Sequence, residues 1–489
     1  MLIHQLIYQG AQDAVAFAGQ APVTYGQMQQ HVNDYRDFFY HNGIRTGDNV
    51  GLFSRNSPEF VYSYMAIASL GAVAVPLNFQ LTPRELAYII QDSGMKRLVT
   101  AAALELPTPV EQLIISEFND PLPAAAFQAA PALPDSWSDD NPCVIIYTSG
   151  TTGNPKGAVL SHSNLFNNAE AFGKMLPFSP ADNILCVLPM YHCFAWTCSV
   201  LNPLLCGATI TVLEAFSPKE TLSAIKDFGV TVMFGVPPMY NFLLRTGEKN
   251  DLANIKYLVS GGASLPEKIA RQFQEKYGHE IIEGYGLSEA SPVVTVNPPG
   301  KTKYCSIGVA LPGLKVKILG GKGETLPPGT VGELVVQGPS VMLGYFNLPQ
   351  ETARALRRGW LHTGDLAYQD TEGYFHIVDR IKDMIIANGE NIYPREIEEL
   401  LYAFPGITEA AVIGVPDELR GQAARAYLVF AEGHEFNKKA LREYLQPRLA
   451  AYKLPRDFVV MDVLPKNQTG KILKRVLRDL ASGEPEQTV

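Results

Sequence analysis

Apolar runs alternate with helical patterns over most of the chain up to about residue 340. The runs are rich in Val, Ile and Leu and are too short to be helices. They lie at residues 49–53, 71–77, 97–100, 143–147, 208–213, 230–236 and 255–262. Continuous runs of this kind between helices are typical of parallel strands that are covered on both faces. The pattern therefore predicts an α/β fold, in which a large N-terminal domain contains layered, mostly parallel sheets with helices.

One long uncharged stretch, residues 60–83, has the hydropathy of a membrane span. Residues that start and stop helices in and around this stretch favour a different interpretation. Ser57-Pro58-Glu59 is a helix start, Gly71 is a helix stop, and Ala72–Val75 form an apolar run followed by Pro76. We therefore predict a buried helix followed by a buried strand. Residues 193–213 repeat this pattern, so no transmembrane segment is expected.

The spacing of the predicted strands and helices changes near residue 340. From "VGELVVQGP" (331–339) to "GYFHIVDR" (373–380) the strands are closely spaced and turns are frequent, which predicts a small β-rich subdomain. The residues after Arg380 contain strand patterns and a helical pattern near 437–449, as in a small α+β domain of about 100 residues. A Pro/Ala-rich connector occupies residues 121–135. The tail, residues 482–489, is expected to be disordered.

Composition narrows the range of partners. The chain has 489 residues, a net charge of −9 and a pI near 5.6, so it lacks the basic field that a nucleic-acid partner requires. The N-terminus lacks a basic region followed by a long apolar run, so no signal peptide is read and a cytoplasmic location is expected.

The six cysteines lie at positions 143, 186, 193, 198, 206 and 305. Four of them, with His192, fall between residues 186 and 206, a concentration that suggests a metal–thiolate site. The segment is apolar, however, and no C-x-x-C pair is present. Reduced thiols buried in the core of a cytosolic protein are the favoured interpretation.

The segment "YTSGTTGNPKG" (147–157) directly follows an apolar strand pattern. Glycines, hydroxyl groups and one lysine together form a set that can hold phosphate. The spacing does not fit a Walker loop, because Pro155 stands where the second glycine belongs and the next element, Ala158–Leu160, is another strand pattern. A helix follows near Ser163. A flexible surface loop is the alternative.

Five further motifs follow in order along the chain. They are "SGGASLP" (260–266), "EGYGLSEASPV" (283–293), "GWLHTGDLA" (359–367) with an aspartate in a tight turn, "VDRIKDMIIANGENIYPREIEE" (378–399) and "LPKNQTGKILKR" (464–475). Together with the loop they resemble the adenylate-forming superfamily, which includes acyl- and aryl-CoA synthetases, adenylation domains of peptide synthetases and firefly luciferase. The resemblance covers essentially the whole chain and is strongest to the acyl-CoA synthetase branch.

The resemblance implies a ligase reaction in two halves. A carboxylate attacks the α-phosphorus of ATP and expels pyrophosphate, and a thiol, normally that of coenzyme A, then displaces AMP. The first half needs no general base, because the nucleophile is already an anion; it needs charge neutralisation and in-line positioning. ATP, Mg²⁺ and coenzyme A are the implied cofactor and co-substrates.

The resemblance also assigns roles to individual residues. Lys471 stabilises charge between the substrate carboxylate and the α-phosphate, Ser288 donates to the α-phosphate, Glu289 is the Mg²⁺ ligand, and His192 lies beside the acyl pocket and adenylate. Tyr285 lies against adenine, and Asp365 and Arg380 bind the ribose hydroxyls. The remaining ATP-binding residues are Thr148, Ser149, Gly150, Thr151, Thr152, Gly153, Lys156, Gly262, Ala263, Glu283, Gly284 and Gly286.

The same resemblance implies domain alternation. The N-terminal domain would span residues 1–380, the hinge residues 381–383 with Lys382 at its centre, and the mobile C-terminal domain residues 384–489. After adenylation the small domain is expected to rotate. Lys471 then leaves the site, and the loop around Gly389 enters to line the pantetheine channel.

The residues expected to line the acyl pocket indicate which class of carboxylic acid is the substrate. Trp196 aligns with a tryptophan that gates the acyl channel of a long-chain acyl-CoA synthetase, and Gly235 and Gly261 would leave room in an apolar wall. The expected lining of this wall is Phe194, Val200, Val236 and Met239. Medium- to long-chain fatty acids are therefore expected. The alternative is that Trp196 packs in the core and the pocket is short, which suits an aryl or short branched acid. Residues 192–201 contain no acid to hold an α-amine, so amino-acid substrates are disfavoured.

Four functions compete on the sequence. The first is a fatty acyl-CoA synthetase, and the second is an acyl- or aryl-adenylate enzyme that loads an acyl carrier protein. A luciferase-like oxygenase would share the first half-reaction. A nucleotide-binding regulatory protein without catalysis is disfavoured, because Lys471, Glu289, Asp365 and Arg380 are all present. The oligomeric state, including a homodimer, is left open.

Overall fold

The structure is a computed structural model that describes residues 1–114, 127–148, 155–387, 389–417, 419–466 and 472–482. Some of the residues singled out by the sequence lie outside these ranges. They are Ser149, Gly150, Thr151, Thr152, Gly153 and Lys471, together with residues 483–489 of the tail and part of the 121–135 connector.

The strands of the described residues are numbered in chain order. They are β1 (Val15–Ala18), β2 (Val23–Thr24), β3 (Asn49–Phe53), β4 (Val73–Pro76), β5 (Arg97–Thr100), β6 (Glu111–Ile114), β7 (Pro142–Thr148), β8 (Lys156–Ser161), β9 (Asn183–Cys186), β10 (Thr209–Val212), β11 (Val232–Gly235), β12 (Tyr257–Ser260), β13 (Ile281–Gly286), β14 (Val293–Val296), β15 (Val309–Ala310), β16 (Lys315–Leu319), β17 (Gly332–Gln337), β18 (Gly344–Tyr345), β19 (Leu356–Arg357), β20 (Trp360–Gln369), β21 (Phe375–Arg380), β22 (Ile385–Ala387), β23 (Glu390–Ile392), β24 (Ile407–Asp417), β25 (Gly421–Phe430) and β26 (Asp457–Val460).

The α-helices of the same residues are α1 (Tyr25–His41), α2 (Pro58–Ser69), α3 (Pro83–Ser93), α4 (His162–Met175), α5 (Cys193–Ala195), α6 (Asn202–Cys206), α7 (Pro218–Asp227), α8 (Pro237–Thr246), α9 (Glu267–Tyr277), α10 (Pro349–Ala355), α11 (Pro394–Ala403), α12 (Lys438–Leu445) and α13 (Lys474–Ser482). Short 3₁₀ helices lie at Ile3–Tyr8, Ser288–Ala290 and Ala451–Lys453, and a π-helical segment, Trp196–Leu201, joins α5 to α6.

Within the described residues the strands form four sheets. The largest has the order β15-β14-β13-β12-β11-β9-β10-β1-β2, and the second has the order β18-β8-β7-β4-β3-β5-β6. Their central strands are parallel, and the antiparallel strands lie at the edges. The third sheet, β16-β17-β20-β19 with β21 beside β20, is antiparallel. The predicted α/β class and β-rich subdomain are therefore confirmed.

The fourth sheet, β23-β22-β25-β24 with β26 beside β25, belongs to the C-terminal part of the chain. Helices α11 and α12 bury Ile397, Leu401, Leu441 and Leu445 against it in a hydrophobic cluster of its own. A separate core of this size is typical of a small α+β domain.

The helix predicted after Ser57 forms as its sequence signals require. The Ser57 side chain accepts a hydrogen bond from the Phe60 amide at 3.2 Å, and Pro58 occupies the first turn. Helix α2 is buried on nearly every face, and β4 follows it with all four residues buried. A buried helix and strand thus account for the uncharged stretch. In the described part of the chain, no helix is long and apolar enough to cross a membrane.

Two histidines are packed together without charge near the N-terminus. The rings of His4 and His162 lie 6.3 Å apart edge to face, and Nδ1 of His162 accepts a hydrogen bond from the Ile3 amide at 3.3 Å. Burial lowers the pKa of His4 to about 4, with Arg36 adding to the effect, and lowers that of His162 to about 3, with His4 adding to the effect. The structure thus holds both rings neutral near pH 7.

This pair predicts a specific acid sensitivity. A histidine whose pKa is depressed in the folded state destabilises the protein as the pH falls below its unfolded value of about 6.5, and the loss continues towards the folded pKa. We expect His162 to account for a loss on the order of 2 kcal/mol between pH 7 and pH 5. In thermal melts, the Tm of the wild type should fall more over this interval than that of His162→Gln. The exposed His434→Gln variant is the control, and parallel pH profiles for wild type and His162→Gln would contradict the assignment.

Candidate active site

The carboxyl ends of three neighbouring parallel strands bring the glycine-containing motifs together. Gly235 at the end of β11 is paired with Ser260 of β12, and Ser260 is paired with Glu283 of β13. The segments "GVPPMY", "SGGAS" and "EGYG" therefore share one edge of the largest sheet. Such an edge is where ligands bind in open α/β sheets.

Gly286 is required where β13 turns towards β14. A Cβ atom at this position would stand 2.1 Å from the carbonyl oxygen of Pro292. Only glycine permits so close an approach of two backbone segments. The glycine thus shapes the turn that carries Ser288 and Glu289.

Asp365 and Arg380 are directly opposite each other on adjacent strands. They are cross-strand partners in β20 and β21, and Arg380 Nε lies 3.3 Å from Asp365 Oδ1. The Tyr285 hydroxyl donates to Asp365 Oδ2 at 2.5 Å. Burial, followed by the nearby charge of Asp365, raises the pKa of Tyr285. The structure therefore joins three predicted nucleotide-binding residues, but Asp365 lies within a strand and not in the tight turn that the sequence suggested.

The backbone around Asp365 is held by its neighbours. The Asp365 amide donates to Thr363 Oγ1 at 3.1 Å, and the Gly364 amide donates to Glu333 Oε1 at 3.2 Å. The other oxygen of Glu333 lies 2.7 Å from His362 Nδ1. These contacts fix the direction of the Asp365 carboxylate, which can accept hydrogen bonds from a pair of ribose hydroxyls.

The segment predicted to bind phosphate is described only at its two ends. Thr148 and Lys156 are paired across the antiparallel strands β7 and β8, which confirms the predicted pair of strands on either side of the loop. Lys156 forms an ion pair with Glu351, and its ammonium lies 5.6 Å from the centre of the Tyr345 ring. The predicted phosphate role of Lys156 would require this ion pair to open.

Glu289 has an arrangement that fits a magnesium ligand. The Tyr345 hydroxyl donates to Oε1 at 2.8 Å, and within the described residues Oε2 takes no hydrogen bond. One carboxylate with several phosphate oxygens is an ordinary Mg²⁺ site. Among the described residues, no group of three or more His, Cys, Asp or Glu side chains gathers to hold a metal without such help.

Cys193 brings the predicted residues His192 and Ser288 together. Its Sγ lies 3.3 Å from Ser288 Oγ and 4.0 Å from His192 Nδ1, and this nitrogen accepts a hydrogen bond from the Phe194 amide at 3.2 Å. Burial raises the pKa of the Cys193 thiol to about 12, so the thiol stays protonated and can donate to Ser288. Only the position of Cys193 next to His192 could have singled it out in the sequence.

Trp196 is packed in the hydrophobic core. It is 2% exposed and stacks on Tyr64 with ring centres 3.8 Å apart, and Phe60 lies on another side. A ring held in this way is not free to swing as a gate. The packing favours the second interpretation of Trp196, in which the acyl pocket is short.

Gly235 and Gly261 do not leave open space on the side where a side chain would stand. A Cβ atom on Gly235 would approach the ring of buried Tyr240 to 3.1 Å, and one on Gly261 would approach the Phe194 ring to 3.1 Å. The missing side chain of Gly235 thus makes room for Tyr240, and the role of Gly235 in the acyl pocket stays a prediction. Phe194, which the sequence places in this apolar wall, is the ring next to Gly261.

Glu283, a predicted ATP-binding residue, has a buried carboxylate that accepts a hydrogen bond from the Leu265 amide at 3.1 Å. Burial raises its pKa to about 7, and the charge of Arg395 in α11 is the main opposing influence. Among the described residues, this carboxylate has no contact with Asp365 or Arg380, and its role in ATP binding stays a prediction.

Lys382 and Gly389, which the sequence assigns to a hinge and to a pantetheine channel, are both exposed. Lys382 lies in a turn closed by hydrogen bonds from the Asp383 and Met384 amides to the Arg380 carbonyl, at 3.0 and 3.1 Å. Gly389 lies between the paired strands β22 and β23 with a φ of +81°. Gly262 and Ala263 follow β12, and Gly284 lies within β13.

Comparison with known proteins gives two family matches. The model of the AMP-binding enzymes matches residues 7–346, and that of the AMP-binding enzyme C-terminal domain matches residues 396–471. A feruloyl-CoA synthase from Amycolatopsis sp is 38% identical over 95% of both chains. A long-chain-fatty-acid–CoA ligase from Bacillus subtilis is 35% identical over 95% of this chain and 91% of its own.

Among solved structures, MatB from Rhodopseudomonas palustris with ATP bound is 31% identical, covers 98% of both chains and has a TM-score of 0.90. The same protein without ligand, at 30% identity and 99% coverage of both chains, has a TM-score of 0.78.

Proposed function

The chain belongs to the family of AMP-binding enzymes, and we propose that it joins an aromatic carboxylic acid of the hydroxycinnamate type to coenzyme A. As a member of this family with acyl-CoA ligases among its relatives, it is an ATP-dependent, AMP-forming ligase. The acid and the domain boundaries at residues 380 and 384 are the parts that we propose.

The described residues support the first half-reaction as follows. Asp365 and Arg380 bind the ribose, Tyr285 packs against adenine, and Ser288, oriented by Cys193, donates to the α-phosphate. Glu289 and the phosphates would hold Mg²⁺, which supplies neutralisation of negative charge on the phosphates when bound. No residue has to remove a proton, because the attacking carboxylate is ionised near pH 7. The site therefore acts by positioning and by electrostatic stabilisation.

The observation that carries the aromatic substrate is the ring of Phe194 against Gly261. The ring fills space that a long alkyl chain would need, and it offers its face or edge to a second ring. Phe194 is itself held edge to face by Phe234, with centres 5.9 Å apart. The core packing of Trp196 and the similarity to a feruloyl-CoA synthase agree with this proposal.

A medium- to long-chain fatty acid is the second candidate. It is supported by the similarity to a long-chain-fatty-acid–CoA ligase over nearly the whole chain. In an apolar tunnel each buried methylene adds about 0.8 kcal/mol of binding free energy, so kcat/KM would then rise with chain length.

A substrate panel separates the two candidates. We expect kcat/KM for coenzyme A ligation to be about tenfold or more higher for 4-coumarate and ferulate than for hexanoate, decanoate or palmitate, on the scale of one or two kcal/mol for a matched ring contact. A maximum at decanoate or palmitate would contradict the aromatic proposal. The same panel run with an acyl carrier protein in place of coenzyme A identifies the thiol acceptor.

The chain offers a matched pair of variants for this panel. Phe194 and Phe178 are both half-buried phenylalanines that contact Phe234, but only Phe194 lies against Gly261. Phe194→Ala should lower kcat/KM for 4-coumarate and raise it for decanoate, while Phe178→Ala should leave the ratio between the two acids unchanged. If the ratio of kcat/KM for 4-coumarate to that for decanoate is the same in both variants, Phe194 does not line the acyl pocket.

A further inference from the structure

Arg395 makes contacts far from the sheet against which its own helix packs. It is the second residue of α11, which packs on the C-terminal sheet. Its Nη1 donates to the carbonyl of Ile377 at 2.7 Å, and its backbone amide donates to Asp379 Oδ2 at 3.0 Å. Both partners lie in β21, on the other side of the hinge turn. Arg395 therefore bridges the hinge, although only 14% of its side chain is exposed.

The charge of Arg395 also acts on the largest sheet. Burial raises the pKa of Glu283 in β13, and the charge of Arg395 opposes this rise more than any other group does. The hydrogen bond from Arg395 to the Ile377 carbonyl is a direct contact between the domains. A hydrogen bond from a charged donor in a site shielded from water is stronger than a neutral or exposed one.

A second cation of the small domain acts on β21. Lys474 Nζ, at the start of α13, lies 2.8 Å from Glu398 Oε1 of the same domain, and the pair is mostly buried. Burial raises the pKa of Asp379, and the charge of Lys474 is the main opposing influence.

These contacts are specific to one arrangement of the domains. Ile377 and Asp379 precede the turn at residues 380–383, whereas Arg395, Glu398 and Lys474 follow it. A rotation about the turn separates the two groups. The arrangement in this structure resembles MatB with ATP bound more closely than MatB without ligand, at nearly equal identity and coverage.

We propose that Arg395 is a positioning residue that latches the small domain in the adenylate-forming arrangement, through its hydrogen bonds to Ile377 and Asp379 of β21. This rests on the proposed ligase function. When the latch opens, Ile377 and Asp379 lose these hydrogen bonds, and the charge of Arg395 moves away from Glu283. To reach the thioester-forming arrangement, the protein must break the hydrogen bond from the Arg395 guanidinium to Ile377. Arg395 therefore shifts the equilibrium between the two domain arrangements, and with it the balance between the two half-reactions.

The test compares Arg395→Met with Arg448→Met. Arg448 also donates to a backbone carbonyl, that of Tyr444 at 2.7 Å, but entirely within the C-terminal domain. We expect Arg395→Met to slow pyrophosphate release in the absence of coenzyme A by about tenfold, the scale of one hydrogen bond from a charged group, with the KM for ATP changed much less than kcat. Thioester formation from synthetic acyl-AMP should be unchanged or faster. Arg448→Met should behave as wild type in both assays.

A second readout needs no turnover. Dyes on the exposed positions Lys249→Cys and Lys439→Cys report the distance between the domains, because the native cysteines are buried or half-buried and react more slowly. Arg395→Met should change the energy transfer between the dyes, and Arg395→Lys should restore part of it. Unchanged energy transfer, or an equal loss in both half-reactions, would overturn the latch. If wild type releases no pyrophosphate with any acid, the proposed function fails, while the dye measurement still decides the latch.

Discussion

Replacing Lys471 by alanine is expected to slow acyl-adenylate formation by about a hundredfold or more, the scale of losing one charged donor to a transition state. The resemblance to adenylate-forming enzymes places this lysine between the attacking carboxylate and the α-phosphate, where negative charge is concentrated. Pyrophosphate release in a single turnover without coenzyme A measures the effect. Thioester formation from synthetic acyl-AMP should suffer much less, because the family resemblance gives Lys471 no part in that half.

Lys439→Ala is the matched control for Lys471. Lys439 lies in the same domain, and its side chain is 86% exposed, so its loss removes an equal charge without touching the site. Both half-reactions should proceed in this variant at the wild-type rate. An equal loss in both halves for Lys471→Ala would show that the lysine supports the structure and not the transition state.

Replacing Gly389 by leucine is expected to produce the opposite result. Thioester formation should fall by about a hundredfold, as when reacting groups are displaced by about 1 Å, because the family resemblance places this glycine beside the pantetheine in the second arrangement. Pyrophosphate release should be nearly unchanged. A Cβ atom on Gly389 meets nothing within 4 Å in the present arrangement, and the positive φ of +81° adds a strain of about 1–2 kcal/mol.

The matched control for Gly389 is Gly433, another glycine of the C-terminal domain with a positive φ. Gly433 has a φ of +80° in the same domain, and a Cβ atom there also meets nothing within 4 Å. Gly433→Leu therefore carries the same strain without a channel to block. Similar losses of thioester formation in the two variants would assign the effect to strain, and the channel role of Gly389 would be wrong.

The local elements could be predicted from the sequence because their signals are local. Ser57 and Pro58 specify the start of α2 whatever surrounds it, and the apolar run at 143–147 with Ala158–Leu160 specifies the two strands around the phosphate segment. Parallel pairing followed from strands that are apolar on both faces. The nucleotide cluster of Tyr285, Asp365 and Arg380 was reached through the family resemblance.

The sequence is least informative where the surroundings of a residue come from distant parts of the chain. Trp196 packs on Tyr64 from a helix more than 130 residues earlier, so the sequence left its packing in the core as one of two alternatives. Tyr64 leaves no trace in the sequence around Trp196. Arg395 and Glu351 were missed for the same reason, since a charge in a helical pattern is usually solvated and their partners lie in other elements.

The position of Arg380 has a consequence for exchanging parts between relatives. Its side chain is paired with Asp365, while its carbonyl accepts both hydrogen bonds that close the hinge turn. In a chimera with a crossover between residues 365 and 380, Asp365 would come from one parent and Arg380 with the hinge turn from the other. The ion pair would then join residues that had not been selected together. A junction after residue 383 takes the ion pair and the hinge turn from the same parent. The parent that supplies the C-terminal segment must then have an arginine at the position of Arg395, so that it can donate to the Ile377 carbonyl. Recombined enzymes built by this rule should inherit the acid preference of the N-terminal parent.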